Sequence, residues 1–114
     1  MPDIYQHKDQ PASDIAAVFA ALGDDTRLAI VAKLQDGSDR SLSKLTEGLS
    51  LTRQGVSRHL RVLEDARLVR RRRVGRETRY RLDVAALNRA RDYLARASAQ
   101  WDQTIDRLAK HLED

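Results

Sequence analysis

The stretch that decides the fold is Thr52-Arg53-Gln54-Gly55-Val56-Ser57-Arg58-His59-Leu60-Arg61-Val62-Leu63. Val56, Leu60 and Leu63 recur four and three residues apart, the spacing of one face of an α-helix. With that face buried, Arg53, Gln54, Ser57, Arg58 and Arg61 must point elsewhere, and Thr52 offers the hydroxyl of an N-cap. Immediately upstream, Gly48-Leu49-Ser50-Leu51 reads as a tight turn. Before it, Leu42, Leu45 and Leu49 mark a helix over about 43–49, itself preceded by a short extended stretch at 40–42. Two helices joined by a short turn, the second presenting long polar donors from its N-terminal half, is what reading base edges in a major groove requires.

On the C-terminal side of that helix, Leu68-Val69 leads into Arg70 to Val74, then Gly75-Arg76-Glu77, then Thr78 to Leu82. A glycine-centred turn between two short runs holding Val69, Val74, Tyr80 and Leu82 predicts a β-hairpin. A basic hairpin directly after such a helix has the character of a wing lying along the backbone or in the minor groove. Adjacent strand residues face opposite sides, so only alternate members of Arg70 to Arg73 can reach one DNA surface. Arg71 and Arg73 are assigned to it, with Thr78, and the others are expected to stabilise the acidic last helix.

Working outward, Ser13 or Asp14 can cap a first helix with Ile15, Val18, Phe19 and Leu22 on one side. Asp24 or Asp25 caps a second, carrying Leu28, Ile30, Val31 and Leu34 and closed by Asp36-Gly37. Asp83 can cap a last helix running nearly to the end. Leu87, Ala90, Leu94, Ala97, Trp101, Ile105, Leu108 and Leu112 keep spacings of three and four along it, a stripe longer than one small domain needs to bury. Part of it is expected to pack against a second copy, and Trp101 is read as packing rather than as a ligand platform. Residues 1–12, with two prolines and no periodicity, read as a flexible arm before one domain over 13–114. The expected architecture is mainly α with a small antiparallel β-hairpin, in the order α-α-β-α-α-β-β-α.

Composition narrows the function. Residues 53–81 hold eleven arginines against three acids, a balance of +8, whereas the remainder of the chain carries −4. A basic block in a mildly acidic protein is the electrostatic footprint of a phosphate-binding surface, and arginine suits bidentate contacts. The absence of cysteine excludes disulfides and every thiolate metal site, and it suits a reducing compartment. No apolar run approaches the ~20 residues needed to span a bilayer, so a cytoplasmic protein is expected. At 4% the aromatic fraction is low, and a small aliphatic core of this kind often gains area from a partner subunit.

The chain resembles the ArsR/SmtB family of bacterial winged-helix repressors through Ala21-Leu22-Gly23-Asp24-Asp25-Thr26-Arg27-Leu28 and Ser57-Arg58-His59-Leu60-Arg61-Val62-Leu63, completed by Leu68-Val69 and Gly75-Arg76-Glu77-Thr78-Arg79-Tyr80. The likeness spans roughly residues 14–112. It implies a homodimer whose first and last helices pair across a two-fold axis, which would place Ile15, Val18, Phe19 and Leu22 with Leu94, Ala97, Trp101, Ile105 and Leu108 at the seam. It also implies a palindromic operator as partner, with Arg53, Gln54, Ser57 and Arg58 facing DNA, Ser43 and Lys44 on the backbone, and Arg73, Arg76 and Arg79 in the wing. Two positions depart from the pattern. Asp25 stands where many relatives have proline, and Arg67 replaces the glycine usual after the recognition helix. Arginine there means either a strained left-handed cap or a different helix exit.

Rival functions are weighed on the same residues. A metal-responsive repressor would need ligands; His111 with Asp114 imitates half of a family histidine–carboxylate site, but Ser98 and Gln100 occupy the other half, so no metal or other cofactor is expected unless His7 joins from the arm. No nucleophile with a base and no Gly-rich phosphate loop suggests an enzyme. A non-specific architectural protein would use lysine and arginine alone, whereas Gln54 and Ser57 favour sequence readout. His59, beside Leu60 and Leu63, is expected to be structural. A small-molecule or protein effector remains open.

Overall fold

The computed structural model describes the backbone of residues 11–113 and the side chains of residues 15–113. The expected arm, with His7, and Asp114 lie outside the described residues. In chain order come α1 (Pro11–Leu22), α2 (Asp25–Leu34), β1 (Arg40–Ser41), α3 (Leu42–Thr46), α4 (Arg53–Asp65), β2 (Val69–Val74), β3 (Glu77–Leu82) and α5 (Val84–Glu113). The order matches the expectation, and the differences lie at element boundaries. Ser13 and Asp14 lie inside α1, which already includes Pro11; a proline is tolerated in a helix's first turn. The third helix covers Leu42–Thr46 rather than 43–49, because the Ser41 hydroxyl accepts from the Lys44 N–H at 3.2 Å and Glu47 leaves helical geometry before Gly48 at φ +81°.

The other helix starts obey simple capping chemistry. Asp24 accepts from the Arg27 N–H at 3.0 Å at the head of α2, Thr52 from the Gly55 N–H at 3.0 Å at the head of α4, and Asp83 from the Ala85 N–H at 3.1 Å at the head of α5. The exit of α4 is the strained alternative foreseen for Arg67. Its φ is +64°, while Arg67 N–H donates to Glu64 O at 2.9 Å and Leu68 N–H to Leu63 O at 2.9 Å. That pair of bonds is a Schellman motif, and Leu63 and Leu68 close it as fully buried neighbours.

The sheet is antiparallel in the order β1-β3-β2, leaving β2 at an edge. Val69 pairs with Leu82, Arg71 with Tyr80 and Val74 with Glu77 across the hairpin, and β1 joins through Arg40 opposite Tyr80. A positive φ at Gly75, with none at Arg76, is the pattern of a two-residue II′ turn, so the second strand starts one residue earlier than expected.

One core ties these elements together. Ile30 and Leu34 of α2, Leu45 of α3, and Val56, Leu60 and Leu63 of α4 are wholly buried, with Val18, Ala21, Leu68, Val69, Tyr80, Ala86 and Ala90 around them. The apolar stripe of α4 thus seats the helix on α2 and α3 and fixes which side faces out. Leu28, which its spacing groups with this set, is exposed. The first turns of α5 pack on α1, with the Phe19 and Tyr93 rings 6.1 Å apart. Beyond Leu94 the helix leaves the core, and a 30-residue helix is about 45 Å long. The radius of gyration is 18.3 Å, against about 13 Å for a compact chain of this size.

Candidate nucleic-acid interface

Helix α4 turns its polar side outward. Arg53, Gln54, Arg58 and Arg61 are exposed, Ser57 is half-buried, and the exposed Thr52 is committed to the cap. Among the described residues Arg53, Gln54 and Arg58 make no side-chain hydrogen bond or ion pair, so their donors stay available to an external acceptor. Gly55, between them, has its missing Cβ position 3.4 Å from Thr52 Oγ1 and 3.8 Å from Leu51, so the first turn of the helix is in ordinary van der Waals contact with the turn that precedes it. On α3, Ser43 and Lys44 are exposed, and Lys44 Nζ lies 3.6 Å from Glu47.

The hairpin sorts its arginines by face, and the two faces differ in what holds them. Arg71 and Arg73 share the side of Val69 and Tyr80, which looks toward α4. Arg71 meets Glu64 of α4 at 3.4 Å, while Arg73 reaches back only to the Gly75 carbonyl at 3.4 Å. Together with Arg72 and the half-buried Thr78 they line a concavity of about 260 Å³. On the other face Arg70 donates to Asp83, the cap of α5, at 3.0 Å, and Arg72 donates to Asp39 at 2.8 Å. The expectation that the off-face arginines steady the last helix therefore holds for Arg70. Arg72 instead ties the hairpin to the loop before β1.

Arg79 is the wing residue least free to leave. It donates to the Asp39 carbonyl at 2.6 Å, lies 3.5 Å from the Asp39 carboxylate and donates to Glu77 at 3.0 Å, with 30% of its side chain exposed. At the hairpin tip Arg76 is exposed and has no side-chain partner among the described residues. The +8 of residues 53–81 is accordingly unequal: Arg70, Arg71, Arg72 and Arg79 are neutralised by acids of the same chain, whereas Arg53, Arg58, Arg61 and Arg76 are not.

Positioning depends on residues that spacing alone did not single out. Arg27 donates to the Ala21 carbonyl at 2.6 Å and the Ala20 carbonyl at 3.5 Å, capping α1 from outside, and its third nitrogen lies 3.2 Å from His59 Nδ1. His59 also lies 3.8 Å from Asp24, so the exit of α1, the head of α2 and the middle of α4 share one polar joint. The Arg27 N–H, opposed by some burial, and the charges of Arg27 and His59 hold the Asp24 carboxyl below its usual range. At Asp83 burial acts to raise the carboxyl, but hydrogen bonds from Arg70 and Ala85 outweigh it and the net shift is downward. Burial pushes the Tyr80 phenol up.

At the expected seam the placement is mixed. Val18 is 1% exposed and Ile15 8%, turned into the chain's own core, so neither has surface to offer a partner. Phe19 and Leu22 are half-buried against that core. Leu94, Trp101, Ile105 and Leu108 are exposed by half or more of their area or close to it, and Ala97 lies half-buried in line with them. Among the described residues no group of three or more His, Cys, Asp and Glu side chains converges to hold a metal ion. No described helix is long and apolar enough to cross a membrane.

A family model described as a helix-turn-helix domain matches residues 22–72. The HTH-type transcriptional regulator Rv2034 of Mycobacterium tuberculosis is 41% identical over 92 residues, covering 77% of this chain and 85% of the relative. An ArsR-like transcriptional regulator from Rhodococcus sp. RHA1 superposes with a TM-score of 0.76 at 39% identity, covering 88% of this chain and 93% of that one. The chain belongs to the ArsR/SmtB family. This ArsR/SmtB protein is a winged helix-turn-helix DNA-binding transcriptional regulator, not an enzyme. A second solved structure, from Mycobacterium bovis, is described as a homodimeric winged helix-turn-helix DNA-binding domain; it shares 25% identity and a TM-score of 0.61, covering 92% of the ArsR/SmtB chain and 90% of its own.

Proposed function

We propose that the protein is a homodimeric repressor that occludes a promoter by binding an inverted-repeat operator. The observation that carries this reading is the row Arg53, Gln54 and Arg58, exposed and unpartnered on a helix whose opposite side is wholly buried. Glutamine matches the N6 and N7 edge of adenine, and arginine matches the O6 and N7 edge of guanine. Ser57 serves the backbone beside them. Arg61, Arg73 and Arg76 supply phosphate contacts around the readers with Thr78 beside Arg73, Arg71 holds the wing against α4 through Glu64, and Ser43 and Lys44 touch the flanking backbone. Arg79 acts here as a strut, because three groups of the chain already claim its guanidinium. Phe19 and Leu22 of α1 with Leu94, Ala97, Trp101, Ile105 and Leu108 of α5 form the seam, a role supported by the half-exposed stripe on α5 and by the homodimeric relative.

The test is fluorescence anisotropy with a duplex selected from the genome and variants at each half-site position. Gln54→Ala and Arg58→Ala should each cost about 1–3 kcal/mol on the preferred site and relax selectivity at one position per half-site. Unchanged selectivity in both variants refutes base reading and favours an architectural role.

A further inference from the structure

The hairpin leaves the core at one step of its ladder. Arg71 opposite Tyr80 is the last pair with a buried member. Beyond it come Arg72 opposite Arg79, Arg73 opposite Thr78 and Val74 opposite Glu77, none of them buried. No buried apolar side chain therefore fixes the outer half of the wing, which carries Arg76 at its tip. The first outer pair is also badly placed electrostatically, because like charges directly opposite one another across a ladder repel and weaken it. Arg72 and Arg79, on one face of the hairpin, are such a pair.

One carboxylate answers both arginines. Asp39 stands immediately before β1, two residues ahead of Ser41, which pairs with Arg79. Its Oδ2 accepts from Arg72 Nε at 2.8 Å and lies 2.5 Å from a second nitrogen of the same guanidinium. Its Oδ1 lies 3.5 Å from Arg79 Nε, and its carbonyl accepts from another Arg79 nitrogen at 2.6 Å. Oδ1 is buried and accepts no hydrogen bond from the described residues, so the charge of Arg79 is what offsets its desolvation. Asp39 thus joins the loop before β1 to the central strand β3 and, across it, to the edge strand β2.

We propose that Asp39 is the positioning residue of the wing. By neutralising the opposed Arg72 and Arg79 and tying both strands to the body, it fixes the outer hairpin and with it the phosphate contact of Arg76. This inference rests on the reading of the hairpin as a DNA-contacting wing. The sign of its effect is distinctive. If charge alone acted, removing an anion from a DNA-binding face would raise affinity and steepen the salt dependence. Removing the residue that aims the wing does the opposite.

The experiment measures duplex affinity by anisotropy over a range of sodium chloride for the full chain, Asp39→Asn, Arg76→Ala and the double variant. Asp39 belongs to neither the buried cluster nor a helix cap, so Asp39→Asn should melt like the parent. The expected result is several-fold weaker binding to every duplex and a salt slope reduced by about one phosphate contact. Arg76→Ala should then cost little more once Asp39 is gone. Tighter binding with a steeper slope overturns the proposal by making Asp39 an electrostatic brake, and so does unchanged binding or full additivity of the two substitutions. The Arg72 Nε–Hε resonance gives a readout that needs no variant. It should exchange with water much more slowly than that of Arg76 and hold its position when duplex is added. Equal exchange at the two, or a shift of Arg72 as large as that of Arg76, overturns the proposal. Arg76→Ala without effect in the parent chain refutes the wing reading instead. Amide relaxation at residues 73–78 of the free chain then decides, with greater motion expected in Asp39→Asn and unchanged motion overturning the positioning role.

Discussion

Replacing Trp101 with alanine removes the largest side chain of the exposed α5 stripe without touching the chain's own core. A tryptophan brings about 150–250 Å² to an interface. With 65% of Trp101 open to solvent, about 100–160 Å² is available to a second copy, and at about 25 cal/mol per Å² its loss costs about 2.5–4 kcal/mol per protomer. A two-fold seam loses the side chain twice, about 5–8 kcal/mol for the dimer if the surface is fully covered. Even half of the lower figure, about 2.5 kcal/mol, raises the dimer Kd roughly 70-fold. Sedimentation equilibrium across nanomolar to micromolar protein should show the shift from dimer to monomer. Operator affinity should fall in parallel, because one protomer grips only one half-site. Circular dichroism of the monomer should keep its helical signal, since the residue makes no part of the buried cluster. A variant that remains dimeric over the same range, with wild-type operator affinity, would sink the assignment of α5 as the seam.

Further outcomes follow from single features. Arg67→Gly relieves a left-handed non-glycine cap and should raise stability by about 0.5–1 kcal/mol in urea melts, after allowing for glycine's own entropy; a loss of stability would show that the arginine side chain matters more than its backbone strain. Arg76→Ala should weaken binding to all sequences alike and reduce the salt slope by about one phosphate contact, and a loss confined to one operator sequence would contradict its place at the wing tip. Acid should destabilise the fold through its capping and turn carboxylates. Asp24, Asp83 and Asp36 all have lowered folded values, Asp36 to about 2 through the Ser38 hydroxyl and N–H with help from Arg40. Stability from depressed carboxylates is complete above their unfolded value of about 4 and is lost as pH falls through the folded value. The melting temperature should therefore decline from about pH 4 toward pH 2, and less steeply in Asp36→Asn; identical profiles would remove Asp36 from the list of causes.

Much of this geometry was legible in local sequence. Helix α4 could be read because Val56, Leu60 and Leu63 keep the helical period and all three are wholly buried. The hairpin could be read because Gly75 permits the positive φ its turn needs. The caps Asp24, Thr52 and Asp83 could be read because capping is a bond across two or three residues. The rest depends on contacts between segments far apart in the chain. Asp39 holds Arg72 and Arg79 from 33 and 40 residues away, and Arg27 meets His59 across 32. Charge counting treats all eleven arginines of residues 53–81 as equal, whereas the fold neutralises four of them in place. Two of the α1 residues fail as seam residues for another reason. Ile15, Val18, Phe19 and Leu22 form an apolar face that periodicity reveals, but periodicity does not say whether its occupant is the same chain or a second one, and Ile15 and Val18 proved to belong to the chain's own core.

The placement of β2 gives its arginines a further role. An edge strand exposes a row of unpaired backbone groups that can recruit a strand from another molecule, and charged side chains along the edge are the usual defence. β2 is such an edge, and Arg70 to Arg73 occupy four of its six positions. An incoming copy of this hairpin would bring its own Arg73 as an unneutralised cation and would have to disturb the ion pairs that hold Arg70, Arg71 and Arg72 along the edge, so strand addition between molecules is opposed. Neutralising the run to study DNA affinity would also strip that guard, and the resulting protein should aggregate through its wing.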